Sequence, residues 1–312
     1  MNFPPGSCKR GKMKKIRNIL LIGLGAIGTL YAALLRNLPG IRFRILVDEK
    51  RRLRYQTNGV FLNGEKLDFE WISPDQATGE KVDLILIATK SHGFDSAMEM
   101  IAPFVGKDTL ILPLLNGITA PASLRKRFSG TEALYGFFLG HASVREGTRV
   151  SHDGVGKLYF GKEENHVISP EVSAVAELFD RAGISYEIPG DMKSALWKKY
   201  VLNVGVNQAS AVFRADYGTL QKNPEMLDFA QHLMEEAVKV AVKAGVNDTE
   251  KMVQSAMEVI LTMPPQAKTS MLQDILSSRP TEVDLFAGTL CRLGKQYSVE
   301  VPCNEEVLKQ LS

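Results

Sequence analysis

Three polar residues recur at a regular spacing within a largely apolar segment. The stretch Leu196–Asn207 reads LWKKYVLNVGVN, and its Lys199, Asn203 and Asn207 fall at i, i+4 and i+8. At 3.6 residues per turn, one ammonium and two carboxamides share a single helical stripe. The apolar neighbours Leu196, Val201, Leu202, Val204 and Val206 mark the helix as largely buried, where polar groups need partners. The stripe is therefore either structural, as a hydrogen-bond network or an exposed stripe, or one wall of a substrate site. In the second case the lysine can donate a proton, because partial burial lowers its pKa toward a useful range. Two more polar residues accompany the stripe. Glu282 lies two residues past Pro280, where a first-turn carboxylate also suits the helix dipole. Ser270, within KTSMLQDI (Lys268–Ile275), places a hydroxyl at a helix start, where it can meet a substrate carboxylate.

A second group of residues points to a dinucleotide. In GLGAIG, Gly23, Gly25 and Gly28 are spaced G-x-G-x-x-G, with Leu24, Ala26 and Ile27 between them. The β-prone run Ile19–Ile22 precedes them and the helix-forming Thr29–Leu35 follows, which is the setting such a turn requires. Gly23 permits the tight turn, Gly25 lets the backbone approach a pyrophosphate, and Gly28 lets helix and strand pack closely. The free N–H groups of the helix start then hold the phosphates. The same uncharged run, Ile19–Leu35, follows a basic stretch as a signal peptide or membrane anchor does. It is shorter than the ~20 residues a spanning helix needs, and Arg36 follows directly, so the dinucleotide reading is preferred.

The elements that must position these residues follow from the chain pattern. Phe43–Val47 reads as a second strand ending at Asp48, and Lys50–Thr57 as a helical or loop return. Val60–Leu62 and Leu67–Trp71 read as a hairpin across Asn63-Gly64. Val82–Ala88 is a continuous apolar run, expected of a parallel strand covered on both faces; it ends in Thr89-Lys90, with a helix over Phe94–Ile101. Thr109–Leu115 is the next strand, ending in Asn116-Gly117. Ala133–Arg149 and Val155–Gly161 read as a mixed sheet edge. Alternating strands and helices predict an α/β fold with an N-terminal Rossmann-type doubly wound sheet over 17–188, whose ligands bind off the carboxyl ends of the strands.

The character changes near Ile188-Pro189-Gly190, and residues 189–312 predict an all-helical C-terminal domain. Met192–Ala211 is one long periodic segment. Asn223-Pro224-Glu225 looks like a helix start and Gly245 like its stop. Asn247 and Glu250 have capping-box spacing for a helix ending before Pro264-Pro265. Pro280 is expected in the first turn of a helix running to about Arg292, and Asn304 is expected to cap a last short one.

Composition removes several classes of function. A chain of 312 residues with 45% hydrophobic and 23% charged residues is neither disordered nor collagen-like, and its length suits about two domains. Cys8, Cys291 and Cys303 are far apart, against a disulfide framework or zinc site, and no Cys/His cluster implies a metal. Of the five histidines only His141 lies near the expected cleft, too little for a His–carboxylate dehydrogenase site. The net charge of +3 divides unevenly: residues 1–17 carry +6, from Lys9, Arg10, Lys12, Lys14, Lys15 and Arg17, leaving −3 for the remainder. Residues 1–16 are expected to be a basic leader, with Met13 a possible native start. The mildly acidic body gives no reason to expect a nucleic-acid or membrane partner.

Taken together, the GLGAIG turn, Lys90, Asn116-Gly117, LWKKYVLNVGVN, SMLQDI and RPTEVD resemble the ketopantoate reductase (2-dehydropantoate 2-reductase) family, in order and spacing, from about Arg17 onward. The resemblance implies NADPH-dependent reduction of 2-dehydropantoate to (R)-pantoate, in pantothenate and coenzyme A synthesis. It implies a cytoplasmic monomer or homodimer whose partner is a small-molecule 2-keto acid. Lys199 is then the general acid, with Glu282 beside it. Asn203, Asn207, Ser270 and Asn116 bind substrate. The turn from Gly23 to Gly28, with Asp48, Lys90, Asn116, Ser143 and Glu282, contacts the cofactor.

The pattern departs from the family at one place. Many members carry an arginine after the second strand for the 2′-phosphate of NADPH, whereas this chain has Asp48. A carboxylate there suits the ribose 2′-OH of NADH and repels a 2′-phosphate. Lys50, Arg51 and Arg52 can still supply a phosphate clamp if the loop turns back. NADP(H) and NAD(H) are therefore both expected. Ala215-Asp216-Tyr217-Gly218 stands where some relatives place an asparagine, which leaves another branched 2-keto acid open as substrate. Two other readings are a β-hydroxyacid dehydrogenase on a similar plan and a non-catalytic dinucleotide sensor. The sensor leaves the Lys-Asn-Asn stripe, Ser270 and Glu282 unexplained.

Overall fold

A computed structural model describes residues 15–140, 143–153 and 156–312. The basic stretch 1–14 with Cys8, together with His141, Ala142, Gly154 and Val155, lies outside the described residues. The chain forms two compact units. The first comprises the described residues up to Thr89, Gly93–Leu114 and Pro121–Gly190; the second comprises Lys90–His92, Leu115–Ala120 and Asp191–Ser312.

In chain order the first unit begins with β1 (Asn18–Ile22), α1 (Ala26–Leu35), β2 (Arg42–Leu46) and α2 (Glu49–Asn58). Three short strands follow, β3 (Val60–Leu62), β4 (Glu65–Leu67) and β5 (Glu70–Ile72), then β6 (Leu84–Ile87), α3 (Phe94–Ile101), β7 (Leu110–Pro113) and α4 (Ala120–Arg127). The remainder is β8 (Glu132–Ala133), β9 (Tyr135–Leu139), β10 (Ser143–Glu146), β11 (Arg149–His152), β12 (Lys157–Gly161), α5 (Pro170–Ala182) and β13 (Tyr186–Glu187). Six strands make a fully parallel sheet in the order β5-β2-β1-β6-β7-β8. Every residue of β6 and β7 is buried, as their unbroken apolar runs require of strands covered on both faces. Strand order reverses beside β1, so the carboxyl ends of β1 and β6 form the switch point at which such sheets bind ligands.

Two strand expectations need correction. The segment Leu67–Trp71 is not one strand. Its start closes β4, which pairs antiparallel with β3 across Asn63-Gly64, while its end belongs to β5, parallel to β2. Trp71 stacks on Tyr55 and meets Phe69 edge-on, so the aromatic residues of this segment pack on one another although its ladder is broken. Nor do residues 133–161 form one mixed edge. β8 completes the main sheet, β10 and β11 join β3 and β4 in a four-stranded sheet, and β9 and β12 join β13 in a three-stranded one.

The second unit is helical: α6 (Met192–Phe213), α7 (Tyr217–Lys222), α8 (Pro224–Lys243), α9 (Met252–Thr262), α10 (Ser270–Leu276), α11 (Thr289–Tyr297) and α12 (Pro302–Leu311). A π-turn, Asp284–Gly288, leads into α11. Asp191 starts α6 by accepting the Ser194 N–H, and Asn223 starts α8 by accepting the N–H groups of Glu225 and Met226. Buried Trp197, Val201 and Val204 of α6 share a core with Leu233, Met234, Phe286 and Leu290. Among the described residues no helix is long and apolar enough to cross a membrane, and no cluster of His, Cys, Asp and Glu could hold a metal.

Three helix boundaries differ from expectation. No capping box forms at Asn247…Glu250: α9 begins at Met252, and the Asn247 amide instead donates to Asp191 Oδ2 at 2.8 Å. Pro280 precedes the helix, whose backbone becomes helical only after Glu282 and continues past Arg292 to Tyr297. Asn304 lies inside α12, fully buried, and donates to Glu236 Oε2 at 2.7 Å while accepting from Gln208 Nε2 at 2.9 Å. The buried carboxylate of Glu236 also accepts the backbone N–H groups of Cys303 and Asn304, so an acid of α8 caps α12. Glu236→Ala strands three donors at once. It is expected to cost about 2–3 kcal/mol in urea denaturation and to speed amide hydrogen exchange over Pro302–Leu311; unchanged exchange there would show that the cap is dispensable.

Candidate active site

The turn between β1 and α1 has the shape a pyrophosphate cradle needs. Gly23 has φ of 100°, and a Cβ there would lie 2.6 Å from the Ala88 carbonyl carbon. A Cβ on Gly28 would overlap the Gly23 carbonyl oxygen. At Gly25 the nearest atom to a Cβ is the Ala88 oxygen at 3.8 Å, so space over that peptide stays open. Gly25 begins α1 without a side-chain cap, and the first amides of the helix remain available to an anion. Leu24 is buried, while Ala26 and Ile27 are half-buried. These features fit a bound dinucleotide.

Beyond β2, Asp48 is the N-cap of α2. Its Oδ1 accepts the Arg51 N–H at 2.7 Å, and its Oδ2 pairs with the Arg51 guanidinium at 2.7 Å. Arg52 grips Glu49 through two nitrogens, at 2.8 and 2.7 Å. The arginines that could have formed a phosphate clamp are thus turned onto carboxylates of their own helix and its cap. Ser143 opens β10, opposite His152 of β11.

Within the helical unit, α6 carries Lys199 into a hydrogen-bonded chain. Lys199 Nζ donates to Asn116 Oδ1 at 3.1 Å, and Asn116 Nδ2 donates to Glu282 Oε2 at 3.2 Å. Glu282 Oε1 accepts the Ser91 backbone N–H at 3.3 Å, and this carboxylate is only 7% exposed. One carboxamide therefore joins cation to anion, accepting at its oxygen and donating at its nitrogen. Burial is the dominant influence on Lys199 and lowers its pKa from the ordinary lysine value to about 7; the charge of Glu282 pulls upward and offsets part of that fall.

Asn203 and Asn207 continue the stripe one and two turns along α6. Asn207 is 5% exposed and Asn203 half-buried, yet neither side-chain amide makes a hydrogen bond to a described residue. Among the described residues no hydrogen-bond network accounts for these two amides. Lys90 belongs to a different cluster. Its Nζ meets both carboxylate oxygens of buried Asp274 at 2.7 Å, and Asp274 also accepts from Arg279 Nε at 3.0 Å. Ser270 is the exposed first residue of α10, after the N-cap Thr269, and bonds to none of these groups. The structure thus unites Lys199, Asn116 and Glu282, sets Lys90 apart with Asp274, and adds Ser91 and Asp274 to the residues singled out by sequence. An acid among the apolar Met271, Leu272 and Ile275 was the available signal for Asp274.

Residues 19–165 match the family model described as Ketopantoate reductase PanE/ApbA, and residues 191–312 match the model of its C-terminal part. The chain belongs to the ketopantoate reductase family. A 2-dehydropantoate 2-reductase of Pyrococcus horikoshii is 28% identical over 293 residues, covering 92% of this chain and 93% of its own length. The structure of 2-dehydropantoate 2-reductase from Methylococcus capsulatus is similar at a TM-score of 0.79 and 25% identity, covering 94% of this chain and 95% of that one. D-mandelate dehydrogenase, solved with NADH and anilino(oxo)acetate, reaches a TM-score of 0.82 at 20% identity, covering 94% and 97% respectively, a likeness of fold alone.

In this ketopantoate reductase family member, Glu282→Gln keeps the shape of the chain and removes the charge that raises the Lys199 pKa. The Lys199 ammonium should then titrate below about 7, followed by NMR of isotopically labelled lysine side chains. An unchanged titration would show that Glu282 does not act on it.

Proposed function

We propose that the protein reduces 2-dehydropantoate to (R)-pantoate with NAD(P)H, as a step toward pantothenate and coenzyme A, with Lys199 as general acid. The observation that carries this reading is the Lys199–Asn116–Glu282 chain, on a helix whose Asn203 and Asn207 have bonding capacity to spare. The β1–α1 turn would hold the pyrophosphate of the dinucleotide, whose reduced nicotinamide would supply the hydride. The chain's own residues do the rest. Negative charge builds on the ketone oxygen, where the Lys199 ammonium stabilises it and delivers the proton. Asn116 keeps Nζ oriented, and Glu282 keeps enough of the lysine protonated near neutral pH. Asn203, Asn207 and Ser270 hold the substrate's hydroxyl and carboxylate so that its carbonyl is presented in reactive geometry. Lys90, Ser143 and Glu282 complete the contacts to the cofactor.

Asp48 supports NADH as the preferred donor. Its carboxylate follows β2 at the position that reads the ribose, and Arg51 and Arg52 are already paired. A second reading, another branched 2-keto acid, is favoured by the stretch Ala215-Asp216-Tyr217-Gly218, which holds no asparagine.

Lys199→Ala should lower turnover by about 10²–10⁴-fold while dinucleotide binding, read by fluorescence titration, persists; full turnover in that variant overturns the assigned role. Oxidation of NADPH and NADH with a panel of 2-keto acids should give the highest kcat/KM for 2-dehydropantoate. A higher value for another acid establishes the second reading, and cofactor binding without any turnover establishes a sensor. Asp48→Ser keeps a capping side chain for α2. Its ratio of kcat/KM for NADPH over NADH is expected to rise by about tenfold or more, since a desolvated like charge costs on that order; an unchanged ratio would show that Asp48 does not read the ribose.

A further inference from the structure

The residue after Lys199 ties its helix to the segment that carries Glu282. Tyr200 is 1% exposed, and its hydroxyl donates to the Phe286 carbonyl at 2.7 Å. Its ring stands edge-on to Trp197, with centroids 5.5 Å apart, and lies 6.1 Å from the ring of Phe286. Phe286 is the middle residue of the π-turn Asp284–Gly288, in which the Thr289 N–H reaches back five residues to the Asp284 carbonyl. The Glu282 carbonyl accepts the N–H groups of Leu285 and Phe286 at 3.0 and 3.2 Å, which joins the backbone of Glu282 to the same turn. Leu285 packs against Gly117, where a Cβ would lie 2.5 Å from Leu285 Cδ1. One wide turn therefore touches the residue beside Lys199, the residue beside Asn116, and Glu282 itself.

A π-turn holds one residue more than an α-helical turn and is rarely favoured by local sequence. Its competitor is regular helix. Relaxation to that state would rotate Glu282 by about 100° around the helix axis relative to α11, because each residue advances the helix by that angle. Such a rotation removes the carboxylate from Asn116. The Tyr200 hydroxyl opposes it by bonding the Phe286 carbonyl where the wide turn places it.

We propose that Tyr200 is a positioning residue: its bond to the Phe286 carbonyl holds the π-turn in register, so that Glu282 reaches Asn116 and Asn116 holds Lys199. The proposal rests on the reading of Lys199 as general acid. Burial raises the pKa of the Tyr200 hydroxyl, with Asp284 and Cys291 adding to the rise and Arg292 opposing it, so it stays a neutral donor. The charge of Glu282 raises the Lys199 pKa, so a changed Lys199 titration reports the position of that carboxylate.

The test is Tyr200→Phe in the full chain, which keeps the ring and removes the bond. Turnover number should fall about tenfold, the scale of a lost orienting contact, while KM and dinucleotide affinity stay within about twofold. In the protein without substrate, the Lys199 ammonium should titrate lower than in the wild type, in the direction taken by Glu282→Gln. Wild-type turnover together with an unchanged titration overturns the proposal, whatever happens to thermal stability. So does a loss shared by KM and kcat with the titration unmoved. The titration needs no turnover, so it separates the two claims: full activity in Lys199→Ala would remove the catalytic reading and leave the Tyr200 result standing.

Discussion

The architecture of the site turns on shielding one half-buried ammonium from water without holding it permanently charged. A buried lysine paired directly with a carboxylate gains a higher pKa and keeps its proton, whereas one left without support loses it. Here Asn116 stands between Lys199 and Glu282, and the carboxylate acts through a neutral amide. Burial and that softened attraction leave the lysine near pH 7, where both of its protonation states are populated. A group that gives up and regains a proton in each cycle needs that balance.

Much of the helical unit serves this chain. The long helix α6 supplies Lys199 and, further along, two amides with free bonding capacity. The short segments 90–92 and 115–120 follow β6 and β7 in sequence yet group with the helices, so Ser91 and Asn116 belong with Lys199 and Glu282. Glu282 precedes a π-turn rather than sitting in a regular first turn, and its carboxylate serves Asn116 and Ser91. In the other unit, the glycine turn meets the separate demand of cradling a dinucleotide, using close packing at Gly28 and open space at Gly25.

Local periodicity and residue type made part of this legible in the sequence. Unbroken apolar runs marked the central parallel strands, three glycines marked the β1–α1 turn, and spacings of four marked the polar stripe on α6. Features decided by partners distant in sequence were not legible. Whether Glu70–Ile72 or Arg149–His152 joins the large sheet or a small one depends on packing that short strands do not encode. The capping spacing at Asn247 was real, but Asp191, 56 residues away, claimed the amide. Asn304 looked like a cap because its role as a buried link between Gln208 and Glu236 has no local signature. The π-turn is similar, since the Tyr200 hydroxyl bonded at its centre comes from another helix.

The most direct test of the account is the pH dependence of a single turnover, with cofactor and 2-dehydropantoate mixed rapidly and reduced-nicotinamide absorbance followed. A general acid must be protonated to act, so the rate constant should be high below the Lys199 pKa and fall as pH rises through about 7. That falling limb should be absent from the residual rate of Lys199→Ala. A rate constant flat from pH 6 to 9, or the same limb persisting without the lysine, would contradict the claim that Lys199 delivers the proton.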